Sequence, residues 1–146
     1  MTRFVLVIIT FCMILMSCKK KTQPVQTVQN NPVPSVFVDI TMYPNDPLNF
    51  SIQGIGGWKY IAGGINGIIL YRKSQEEFIA VERTSSFYPN NPSAKVKVQP
   101  DNFSVRDSIS GSKWQIIDGT VTNGPATWPL RLYGTTFDGT VLRIRN

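Results

Sequence analysis

Turn-forming clusters cut the chain between Pro34 and Asn146 into pieces too short for a helix to bury a face. The clusters are "YPNDP" (43–47), "GGING" (63–67), "YPNNP" (88–92), "QPDN" (99–102), "IDG" (117–119) and "FDG" (137–139). Between them lie short runs rich in β-branched and aromatic residues. These are 36–40, 58–62, 67–72, 78–82, 95–98, 114–117, 130–133 and 141–145. Short apolar or alternating runs bounded by Gly, Pro, Asn and Asp are read as strands, and no window carries an amphipathic helical pattern. All eleven glycines fall from Gly54 onward, as tight connections in a compact β fold require. The chain from 35 to 146 therefore reads as one all-β antiparallel domain, a sandwich or barrel, too small to split in two.

Two hairpins stand out. Ile68–Tyr71 and Phe78–Val81 flank the polar loop "RKSQEE", which contains Glu76 and Glu77. Near the C-terminus, Asp138-Gly139 is a pair favoured in type I′ turns. The alternation around it puts Arg143 and Arg145 on the wet face and Leu142 and Ile144 inside.

The N-terminus speaks to location. Arg3 precedes an uncharged, mainly apolar run from Phe4 to Met16, shorter than a membrane span and laid out like an export signal. Leu15-Met16-Ser17-Cys18 resembles a bacterial lipobox, in which the cysteine is acylated and becomes the first mature residue. The expectation is a signal peptide over 1–17, a lipid anchor at Cys18, and attachment to the bilayer through acyl chains such as palmitate. Cys12 would leave with the signal, so the mature protein holds no free thiol, no disulfide and no thiolate metal site. Residues 18–34 read as a flexible tether. It holds Lys19, Lys20 and Lys21, no acid, and too little apolar surface to offset ordering. Lysines rather than acids behind the anchor point to a periplasm-facing protein. Apart from Arg3 and those lysines, eleven basic residues face nine acidic ones. The high pI thus belongs mainly to the tail, and nucleic-acid binding is rejected.

Residues 111 to 144 carry a more specific pattern: "GSKW", then "DGTVTNGPATWPLRLY", then a closing "DGTVLRI" hairpin. With the hairpin before it, this order resembles the Rieske domain, in particular the small lipoprotein relatives of Bacteroidota. The resemblance implies a Rieske-like β fold with a small loop subdomain. It also implies a [2Fe–2S] cluster held by Cys-x-His and Cys-x-x-His-Gly-Ser loops. Carried over by position, Ser85 and Phe87 stand at the first cysteine and histidine, and Asp107 and Ser110 at the second pair. Every ligand is replaced, and the chain contains no histidine. Iron–sulfur centres need soft thiolates and imidazoles, so the resemblance implies a domain that has lost its cluster.

In that family the turn Gly124-Pro125-Ala126 is a lid over the cluster. Here it is expected to persist as architecture. Pro125 fixes φ, Gly124 supplies unusual dihedrals, and the path leads into a strand carrying Leu130 and Leu132. Trp114 and Trp128 are expected in the core, each burying on the order of 150–250 Å².

Catalysis has little to use: no histidine base, no Ser/Lys constellation, and Asp107 expected as an exposed or turn-capping carboxylate. Asp107-Ser108-Ile109 resembles an O-glycosylation sequence of Bacteroidota envelopes. "GGWKYIAGG" flanks a strand instead of opening a helix, so it is no phosphate loop. The reading is a non-enzymatic envelope module that binds a protein partner through loops 85–93, 107–112 and 123–128. The alternative is a redox, electron-transfer protein that borrows ligands for a [2Fe–2S] cluster from another chain or binds another metal.

Overall fold

The computed structural model of the chain describes residues 31–146. The signal, Cys18 and Lys19–Lys21 lie outside the described residues. Ten strands follow one another, all paired antiparallel. They are β1 (Asp39–Met42), β2 (Trp58–Ile61), β3 (Ile68–Arg72), β4 (Phe78–Glu82), β5 (Val96–Val98), β6 (Ser104–Asp107), β7 (Lys113–Gln115), β8 (Val121–Asn123), β9 (Leu132–Phe137) and β10 (Leu142–Arg145). The all-β reading holds. The sole helical element among the described residues is a 3-10 segment, Pro47–Ile52, capped by the Asp46 carboxylate on the Leu48 amide at 2.8 Å.

The strands form two sheets. The larger has six strands in the order β1-β10-β9-β4-β3-β2, and the smaller runs β5-β6-β7-β8. The smaller sheet is thus one continuous excursion between β4 and β9. Each sheet closes its own core, and the β3–β4 hairpin serves both. Ile68, Leu70, Phe78 and Ala80 face the first core with Ile52, Tyr133, Leu142 and Ile144. Ile69 and Val81 face the second with Val96, Val105, Trp114, Ile116 and Leu130. A strand covered on both faces needs a near-continuous apolar run, which "IIL" supplies. The large sheet also curls. Ile40 of β1 and Ile61 of β2 pack on the same core although they belong to opposite edges.

The structure departs from the sequence expectations at several points. β6 and β8 fall outside the predicted strand runs, because "SVRD" and "VTN" lack an apolar run; the small sheet pairs them through backbone bonds. The strand placed over 130–133 begins at Leu132 and extends to Phe137. Leu130 is buried in the preceding loop, whereas Leu132 is 41% exposed. The Asp138-Gly139 turn is not type I′, since Gly139 has φ +95° but Asp138 is not among the positive-φ residues. Instead, Asp138 caps a four-residue loop by accepting from the Thr140 and Val141 amides. The fold also starts before residue 35. Val33 is fully buried, Arg131 donates to its carbonyl, and Asn31 donates to Pro129 O at 3.0 Å.

Candidate functional site

The three loops singled out in the sequence meet at one end of the small sheet. The β6–β7 loop, 107–112, turns on Asp107, whose side chain is fully buried. Its Oδ1 accepts from the Ile109 amide at 2.9 Å and its Oδ2 from the Ser110 hydroxyl at 2.7 Å. Gly111, at φ +78°, returns the chain toward β7 and donates to the Asp107 carbonyl. Asp107 therefore caps a turn, as expected, but it is not exposed.

Ser112 joins this loop to the lid. Its hydroxyl is buried, lies 3.0 Å from the Ser110 hydroxyl and accepts from the Ala126 amide at 3.0 Å. The lid then reaches the 85–87 loop through one atom. The Trp128 carbonyl accepts from Ser86 Oγ at 2.6 Å and from Trp114 Nε1 at 3.0 Å. Ser85 is buried, donates its amide to the Ala94 carbonyl, and accepts from the Phe87 amide at 3.3 Å.

Of the four positions carried over from the resemblance, only Asp107 and Ser110 bond each other. Ser85 is committed within its own loop. Phe87 turns outward at 36% exposure and packs edge-to-face on Tyr88 at 4.5 Å. Ser112 and Ser86, the hydroxyls that join the loops, were not singled out from sequence. The Gly111-Ser112 pair was the available signal for the first.

The lid is corrected in two respects. Gly124 does not use a positive φ, and a Cβ there would meet nothing closer than 3.9 Å. Pro125 is exposed and follows a cis Gly124-Pro125 peptide, while Ala126 is buried. The indole of Trp114 is fully buried as expected, but that of Trp128 is 40% exposed. What Trp128 gives the interior is its carbonyl.

The donor set does not suit a [2Fe–2S] cluster. Serine hydroxyls and one carboxylate offer no soft ligand and Phe87 offers none at all; Asp107 and Ser110 already bond each other, and Ser85 Oγ is taken by the Phe87 amide. Among the described residues no buried side-chain nitrogen or oxygen lacks a partner. Nor do three or more His, Cys, Asp or Glu residues gather there as a metal-binding group.

A second polar cluster sits on the large sheet. Glu82 is fully buried at the end of β4 and holds the 63–67 loop. Oε2 accepts from the Ile65 amide at 2.8 Å and the Tyr133 hydroxyl at 2.7 Å. Oε1 accepts from the Asn66 and Thr84 amides and the Thr84 hydroxyl. Burial pushes the Glu82 pKa up, but bonds from Tyr133, Ile65, Thr84 and Asn66 outweigh it, so the carboxyl ionises below its ordinary range. Burial and the adjoining carboxylate push the Tyr133 phenol up. Gly64 permits the approach: its φ is +62°, and a Cβ there would collide with Glu82 Oε2.

No family model matches the chain, and no curated protein matches it. Among solved structures, it is similar to the ferredoxin of carbazole 1,9a-dioxygenase from Nocardioides aromaticivorans IC177. Identity is 14% and the TM-score 0.49, over 75% of this chain and 97% of that one. It is also similar to a protein described as an NADH-dependent nitrite reductase small subunit from Mycobacterium tuberculosis. There the identity is 14% and the TM-score 0.46, over 77% of this chain and 97% of that one. At these values neither likeness bears on the chemistry of this chain.

Proposed function

We propose that this chain is a lipid-anchored envelope protein whose Rieske-like domain has lost its cluster and serves as a binding module. The single observation that carries the loss is the hydrogen-bonded closure of the tip. Asp107, Ser110, Ser112 and the Ala126 amide satisfy one another where a cluster would need free donors. The lid is held by Ser86 and Trp114 on the Trp128 carbonyl, so it needs no metal beneath it. The exposed rings of Phe87, Tyr88 and Trp128 and the side chain of Ile109 form the outer surface of these loops. That composition, with aromatics over a rigid base, suits contact with a protein partner in the envelope. The lipobox-like Leu15-Met16-Ser17-Cys18 supports the anchor, and Lys19–Lys21 support a periplasm-facing orientation.

Iron analysis tests the module against a redox protein. The purified protein is expected to be colourless, and anaerobic incubation with iron and sulfide should leave its spectrum unchanged. Two irons per chain with iron–sulfur absorption would overturn the reading and restore electron transfer.

A further inference from the structure

The outer face of the small sheet carries a row of cations that make no ion pair among the described residues. Alternation sends Val98, Val105 and Trp114 inward along one cross-strand row. The adjacent row, directly paired across three strands, is Lys97, Arg106 and Lys113, all exposed. Like charges placed opposite one another on a sheet disfavour pairing, so folding alone does not explain this row. The two ion pairs among the described residues, Lys73–Glu77 and Asp39–Arg145, lie on the other sheet. Asp101, held ionised by its bonds from Ser104 and the Phe103 amide, feels the Lys113 charge and balances that end of the row in part, without an ion-pair contact. The first thirty residues contain no acid.

Two further features mark what lies against this face. Arg106 and Lys113 flank the 107–112 loop, whose Ile109 is 49% exposed. The chain also enters the fold at the same end of the domain. Asn31 is bonded to the Pro129 carbonyl, beside the exposed Trp128. From Cys18 to Asn31 the backbone reaches about 45 Å at full extension. An anchor at Cys18 therefore keeps this face within reach of the headgroups, with Lys19–Lys21 between them.

We propose that Lys97, Arg106 and Lys113 dock the small sheet on anionic phospholipid, so that the domain lies against the bilayer that holds its anchor. The proposal rests on the anchoring reading above. Each basic residue near an anionic membrane surface favours contact by about fivefold, and the contact weakens with salt.

The test uses the lipidated full-length mature protein on phosphatidylcholine vesicles with and without phosphatidylglycerol. Lysine acylation by a neutral reagent is read residue by residue by mass spectrometry. Lys97 and Lys113 should react about fivefold or more slowly when phosphatidylglycerol is present, while Lys73, on the far β3–β4 loop, keeps its rate. Arg106→Gln should remove most of that protection while leaving both reporter lysines in place. Equal rates on the two vesicle types would overturn the proposal, as would protection that survives Arg106→Gln or that extends equally to Lys73. Protection seen in native envelopes but not on phosphatidylglycerol vesicles would also overturn it and assign the row to an acidic protein. Failure of the anchor is read separately, as failure of the wild-type protein to float with pure phosphatidylcholine vesicles, where no anionic lipid can hold it.

Discussion

Replacing Glu82 by Gln removes a charge that no cation among the described residues pairs with, so the outcome depends on its hydrogen bonds. The carboxylate is fully buried and accepts from five donors on three segments of chain. An amide NH₂ in place of either oxygen turns an acceptor into a donor facing at least two existing donors. The Tyr133 hydroxyl can rotate away, but backbone N–H groups cannot. Hydrogen bonds to a charged group contribute about 1.5–3 kcal/mol each, and an orphaned buried donor costs about 1–3 kcal/mol. Glu82→Gln should therefore destabilise the domain by roughly 3–5 kcal/mol at neutral pH, a large share of the ~5–15 kcal/mol typical of a whole domain. The pH dependence follows from the direction of the shift. The folded pKa lies below the ordinary 4.5. The carboxylate's contribution is thus full above the unfolded pKa and is lost as pH falls through the folded one. Urea denaturation followed by tryptophan fluorescence should show a wide gap between wild type and Glu82→Gln at pH 7 that narrows in acid. A gap below about 1 kcal/mol at pH 7 would refute the accounting by orphaned donors. A gap unchanged in acid would show that the charged form is not what the fold stabilises.

Three other outcomes are expected. Trp114→Ala should cost roughly 3–5 kcal/mol, and Trp114→Phe distinctly less; equal losses would mean that packing of the ring contributes little. Ser112→Ala leaves the buried Ala126 amide without its acceptor, costing about 1–3 kcal/mol. Hydrogen exchange at Ala126 should quicken while Ile69 stays protected, and unchanged exchange at Ala126 would remove Ser112 as the lid's attachment. Cys18→Ser should abolish palmitate incorporation and detergent partitioning; persistent label would place the anchor elsewhere.

The sequence alone determined the fold class and most of the larger sheet. β3, β4 and β10 are legible because their signal is local. "IIL" in β3 needs cover on both faces, and Leu142-Arg143-Ile144-Arg145 alternates with the period of a strand. It also indicated which loops meet, through Gly111-Ser112 and Gly124-Pro125-Ala126, and it places no histidine in the chain and no cysteine after Cys18. Tertiary structure decided the rest. Nothing local distinguishes Trp114 from Trp128. One indole fills the second core while the other is held outside by a backbone whose carbonyl is taken by Ser86 and Trp114. Glu82 reads as the polar end of a strand, yet it is sealed in by Tyr133, 51 residues away, and by the 63–67 loop. β6 and β8 are strands only because the small sheet offers them partners, and the same pairing aligns Lys97, Arg106 and Lys113. Periodicity reports which way neighbouring side chains point. Burial, charge juxtaposition and hydrogen-bond partners are set by segments tens of residues apart, so they emerge only when the chain is folded.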